Sequence, residues 1–141
     1  MTIQAATPYF ILNGKVERAL PLYERALGAT VETLQRFGDV DESCPEAMRD
    51  KVMHAELRIG SAILMMSDGP GEEAAGTTPG SGNVSVAVAF DDEQEMRRAF
   101  GHLADGGTVI EAIFPAPWGA LFGVVQDEMG IHWMFNCDTT V

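Results

Sequence analysis

The last strand of the chain fixes more of the fold than any other stretch. Residues Gly130 to Cys137 read with period two, so alternate side chains fall on opposite sheet faces. Ile131, Trp133, Phe135 and Cys137 make one face bulky and apolar, which calls for a helix laid against it. His132, Met134 and Asn136 carry imidazole, thioether and amide groups on the other, a set suited to the wall of a small cavity or, alternatively, to a solvent-facing sheet face.

The same two-sided pattern recurs. Val52 to Ile59 alternates Met53, Ala55, Leu57 and Ile59 against His54, Glu56 and Arg58. Asn83 to Phe90 alternates Val84, Val86, Val88 and Phe90 against Asn83, Ser85, Ala87 and Ala89. Helical spacing appears twice. Val16, Ala19, Leu20, Tyr23 and Leu27 predict a helix over 15–27, bent at Pro21 and closed by Gly28, with the Asn13-Gly14 turn as its cap. Met96, Phe100 and Leu103 predict a second, opened by the Asp92/Glu95 capping-box spacing and stopped at Gly106-Gly107. Further strands are expected over 3–12, 30–37, 62–67, 108–114 and 120–127. Each half then reads strand, helix, strand, strand, strand. A short echo, Gly28-Ala29-Thr30-Val31 against Gly107-Thr108-Val109, accompanies the repeat. This predicts one α+β domain of two βαβββ modules, about 1–67 and 83–141, joined by loop 68–82, whose two sheets pair into a cup-shaped mixed sheet. The loop is read equally as a lid or as a linker.

Composition narrows the partners. With 21 acidic and 9 basic residues the net charge is −12, which argues against phosphate-rich nucleic acid. No apolar run approaches membrane-spanning length, and the N-terminus shows no basic region before an apolar stretch. Cys44 and Cys137 make no disulfide framework, so a reduced, cytoplasmic setting is expected.

Pro8-Tyr9, Leu27-Gly28-Ala29, the run Lys51 to Leu57, Trp118-Gly119, and the tail Asp127, Gly130, His132-Trp133 and Asn136-Cys137 together resemble the glyoxalase, bleomycin-resistance and extradiol-dioxygenase (vicinal oxygen chelate) superfamily. Within it the chain looks like the PhnB-like branch, also labelled demethylubiquinone methyltransferase-like. The methyltransferase label finds no support in the residues, because no strand is followed by the glycine-rich loop and helix that hold S-adenosylmethionine. The resemblance implies a homodimer and a small-molecule ligand. It also implies four metal-ligand positions, which fall by register at Pro8 or Tyr9, at Met65 or Met66, at Ser85 with Asn83 beside it, and at Met134. None of these is His, Asp or Glu, so the usual site is expected to be absent and no cofactor is expected.

The expected function is therefore small-molecule binding, with Tyr9, Met65, Ser85, Trp118, His132, Met134 and Asn136 lining the ligand site; Phe10 and Phe122 could join the lining, though such residues are more often core. His54, Glu56 and His132 are candidate acid–base groups for a metal-independent reaction. One alternative makes the same three residues a relocated divalent-metal site of a lyase, isomerase or dioxygenase. Another makes the chain a ligand-sequestering resistance protein. Cys137 and His102 receive no functional role.

Overall fold

The computed structural model describes residues 2–69 and 83–139, and in them the repeated element order becomes two four-stranded mixed sheets. The chain divides into two compact units, Met1–Thr77 and Thr78–Val141. The first holds β1 (Tyr9–Ile11), α1 (Val16–Leu27), β2 (Thr30–Arg36), a single-turn helix α2 (Phe37–Val40), β3 (Val52–Ile59) and β4 (Ala62–Ser67). The second holds β5 (Val86–Phe90), α3 (Glu93–Ala104), β6 (Thr108–Ala116), β7 (Ala120–Gln126) and β8 (His132–Asp138). Strand order is β1-β4-β3-β2 in one sheet and β5-β8-β7-β6 in the other. In each, the strand before the long helix pairs parallel with the last strand, and the remaining pairs are antiparallel.

Each long helix packs its apolar stripe on one face of its own sheet. Val16, Ala19, Leu22, Tyr23 and Ala26 are buried along α1, above Ala55, Leu57, Leu64 and Met66. Leu20 and Leu27, expected in this stripe, are only half-buried, because the helix turns Leu22 and Ala26 inward instead. Pro21 is exposed within α1, which continues through it. In the second unit Met96, Ala99, Phe100 and Leu103 cover Val125, Trp133, Phe135 and Cys137. Phe135 packs against Phe90 and Phe100 at ring-centre distances of 4.7 and 5.9 Å.

Two buried carboxylates tie these elements together; the sequence marks Asp127 only as part of the tail pattern, and Asp68 only as the start of the loop. Asp68, just after β4, accepts hydrogen bonds from the backbone N–H of Val16 (2.9 Å) and Val52 (2.8 Å). The start of α1 is therefore capped across the fold: Lys15 at the N-cap makes no side-chain bond, and Asn13-Gly14 supplies only the turn. Asp127 accepts from the indole N–H of Trp133 (2.8 Å) and from the backbone N–H of Met129 (2.8 Å) and Ile131 (3.1 Å). The capping of α3 follows the sequence more closely. Asp92 accepts from Glu95 N–H at 2.9 Å, and the Glu95 carboxylate pairs with Arg98.

Several boundaries move. β1 spans three residues, because Pro8 has no N–H to extend the ladder and only its carbonyl bonds to Met65 N–H. β5 begins at Val86, leaving Asn83 to Ser85 exposed. β6 runs on through Pro115, which an edge strand tolerates. The loop expected as lid or linker lies, from residue 70 to 82, outside the described residues.

The glycine echo resolves into two different constraints. Gly28 and Gly106 take left-handed backbone (φ +67° and +85°) at the helix ends. Gly107 needs its lack of a side chain for another reason: a Cβ there would lie 2.2 Å from the Gln126 carbonyl and 2.6 Å from that of Leu103. Gly101, inside α3, has nothing within 4 Å of its Cβ position. Gly107→Ala is therefore expected to lower unfolding free energy by about 1–3 kcal/mol. Gly101→Ala should raise it by about 0.5–1 kcal/mol through helix propensity. Urea denaturation of the two variants beside the parent checks both signs.

Candidate ligand-binding faces

The face of each sheet turned away from its helix carries the polar and soft side chains. On the first sheet the register aligns Tyr9 with Met65, Met65 with Glu56 and Glu56 with Thr33 in one row across all four strands. His54 lies two residues from Glu56 on the same face, opposite Gln35. The row behind it, Phe10, Met66, Ala55 and Leu34, belongs to the helix side. This register separates the two choices left open by sequence: Tyr9 and Met65 share the open face, whereas Met66 is fully buried beneath α1.

Tyr9, His54 and Glu56 are joined by hydrogen bonds. Tyr9 Oη lies 2.9 Å from His54 Nδ1, and His54 Nε2 lies 3.0 Å from Glu56 Oε2. The Tyr9 and His54 rings are 5.6 Å apart, tilted by 36°. Arg58, next along the face, pairs with Glu32 on β2 rather than with Glu56.

On the second sheet, Ala87, Met134, Val124 and Glu111 form one row, and Ala89, Asn136, Phe122 and Phe114 the next. The neighbour of Met134 on β5 is thus Ala87, and Ser85 lies just outside the strand. Phe122, weighed from sequence between lining and core with core favoured, sits on the open face, half-buried beside Asn136. Its ring meets Trp118 edge-on at 5.3 Å and Phe114 at 6.2 Å. Trp118 donates its indole N–H to Asn136 Oδ1 at 3.0 Å while remaining 59% exposed. The turn after Ala116, closed by Gly119 at φ +85°, aims it there. The His132 ring Nε2 lies 3.2 Å from Gln126 Oε1.

Thr33, Gln35, Gln126 and Phe114 also belong to these faces and were not picked out from sequence. Gln126 and Phe114 are placed by strand pairing alone. Thr33 and Gln35 sit on β2, whose alternation is broken by bulges at Val31/Thr33 and Gln35/Arg36.

A divalent-metal site needs hard or imidazole donors converging on one point. The positions that the family resemblance marks hold a phenol bonded to His54, two thioethers and the Ser85 hydroxyl just outside β5, and this set does not fit. Among the described residues no three His, Cys, Asp or Glu side chains gather as a ligand group. No helix among the described residues is long and apolar enough to cross a membrane.

Four comparisons bear on this arrangement. The sequence profile described as Glyoxalase/Bleomycin resistance protein/Dioxygenase superfamily matches residues 6–135. Protein YjdN of Escherichia coli (strain K12) is 31% identical over 142 residues, covering 92% of each chain. The crystal structure of protein PA1353 from Pseudomonas aeruginosa superposes with a TM-score of 0.80 at 36% identity, covering 97% of this chain and 98% of that one. A PhnB protein from Bacillus cereus shares the fold, with a TM-score of 0.77 at 21% identity, covering 95% and 99%.

Both cysteines are free thiols. Burial pushes the Cys137 thiol up from its ordinary range, and the carboxylates of Glu93, Asp92, Asp91 and Asp138 add to the effect. Less thiolate forms at a given pH, so iodoacetamide at pH 8 should alkylate half-buried Cys44 first and Cys137 more than about tenfold more slowly. The unfolded chain loses its Cys137 proton before the folded one does. That contribution to stability is therefore lost as pH rises past the ordinary thiol range. Peptide mass spectrometry of partly alkylated protein reads the order directly; equal labelling of the two cysteines would contradict it.

Proposed function

We propose a small-molecule-binding function for this chain, which belongs to the Glyoxalase/Bleomycin resistance protein/Dioxygenase superfamily. In this reading the ligand is held on the open faces of the sheets without the divalent metal that metal-dependent members use, and the protein works as a cytoplasmic homodimer. The observation that carries it is the chemistry of the marked positions, Tyr9, Met65, Ser85 and Met134, which offer hydroxyl groups and soft thioethers instead of the usual His, Asp or Glu ligands.

The two faces offer different chemistry. Trp118, Phe122 and Phe114 present an aromatic cluster with the Asn136 amide beside it, a surface for a flat group carrying a hydrogen-bonding atom. Tyr9, His54 and Glu56 present titratable groups flanked by the Met65 thioether. A second reading, the relocated metal site, is favoured by one distance: His54 and Glu56 already lie within 3.0 Å of each other.

The two tryptophans make binding measurable. Trp133 is fully buried, so a fluorescence change on ligand addition reports on exposed Trp118. Small planar compounds that bind should quench this emission. Trp118→Phe should remove the signal and weaken binding, measured calorimetrically, by about 3- to 10-fold, the worth of one aromatic contact. A ligand whose amide-shift footprint lies on the outward sides of α1 and α3 instead would contradict the assignment.

A further inference from the structure

The hydrogen-bond chain on the first sheet has a direction. A carboxylate only accepts, so Glu56 takes the Nε2 proton of His54 at 3.0 Å. Neutral imidazole carries one N–H, which leaves Nδ1 as a lone pair. Tyr9 Oη must then donate to it, at 2.9 Å. Both ring nitrogens of His54 are thereby engaged, and its side chain is only 22% exposed. Tyr9 is the outward end of the chain, at 43% exposure. The other tyrosine, Tyr23, is fully buried under the first sheet's helix.

A nucleophile within hydrogen-bond reach of a base, with the base oriented by a third group, is the arrangement that activates weak nucleophiles. We propose that Tyr9, His54 and Glu56 form such a set, and that Tyr9 accepts acyl groups from aryl esters or comparably activated acyl donors. An aryl ester fits because its leaving group is itself a phenolate, so transfer to the Tyr9 phenol is close to balanced in energy. In the step, Tyr9 Oη bonds to the acyl carbon and the bond from that carbon to the leaving oxygen breaks. The phenolic proton passes to His54 Nδ1 and from there to the leaving oxygen. Glu56 is a positioning residue: it holds the tautomer and balances the imidazolium charge. Nothing is oxidised or reduced.

The inference rests on the reading that the open face receives small molecules, and adds a reaction to it. The test uses the full chain and 4-nitrophenyl acetate. The expected result is a burst of 4-nitrophenolate approaching one equivalent per chain, with the acetyl group located on Tyr9 by peptide mass spectrometry. Tyr9→Phe, which keeps the ring against His54, should abolish the burst. His54→Gln should slow it by about 100-fold or more, the usual worth of a general base, and remove its solvent deuterium isotope effect. Glu56→Gln should slow it similarly, since an amide can donate to Nε2, reverse the tautomer and break the link to Tyr9. Glu56→Asp should restore part of the rate. Thermal unfolding of each variant verifies folding. A full burst in folded Tyr9→Phe, or an acetyl group on Lys15 or Lys51 with Tyr9 unmodified, overturns the inference. Trp118 quenching by ligands without acylation of Tyr9 sinks this inference alone and leaves the binding function standing.

Discussion

A carboxylate taken out of water is stable only if donors surround it, and among the described residues this demand is met at Asp127 and at Asp68. Asp127 is 2% exposed and gathers the Trp133 indole N–H together with two backbone N–H groups of the turn between β7 and β8. Because the bond to Trp133 is made on the helix side of β8, it fixes which way the whole strand faces. A one-residue slip would turn Trp133 outward and strand the carboxylate. Asp68 does the equivalent work in the first unit, joining the end of β4 to the starts of α1 and β3. With these faces committed to the helices, Met134, Asn136, His54 and Glu56 are left on the opposite ones.

Much of this was legible in the sequence because period-two alternation is a direct image of the pleat. Trp133, Phe135 and Cys137 were placed on the buried face of β8, and they are buried. The repeated strand-helix-strand-strand-strand order, the two long helices and the superfamily resemblance all reappear in the fold. The Asp92 cap was visible because its partner is local, three residues away. Asp68 was not, since its partners Val16 and Val52 are far off in sequence and only the folded register brings them to it. Phe122, for which the sequence favoured core over lining, was left undecided for a related reason. Aromatic bulk suggests core, but pairing with Asn136 puts it on the open face, where Trp118 covers it.

The candidate groups divide between the two units. His54 and Glu56 were grouped from sequence by their spacing on one strand, and they are hydrogen-bonded to each other. Tyr9, considered there as lining and as a metal-ligand register position, is the third member of that chain because the parallel pairing of β1 with β4 carries it to the same face. His132 lies against Gln126 on the second sheet. One scaffold in this superfamily serves many chemistries, so the residues on the open faces, not the fold, decide what this chain does. Thioethers from Met65 and Met134 give those faces a soft, adaptable surface.

The most direct test of that account is elemental analysis of the untagged protein after incubation with Zn, Fe, Mn, Ni and Co ions and desalting. The account predicts retained metal well below one equivalent per chain, unchanged in His54→Ala and His132→Ala. Near-stoichiometric metal that disappears in either variant would contradict it and put the protein among the metal-dependent enzymes.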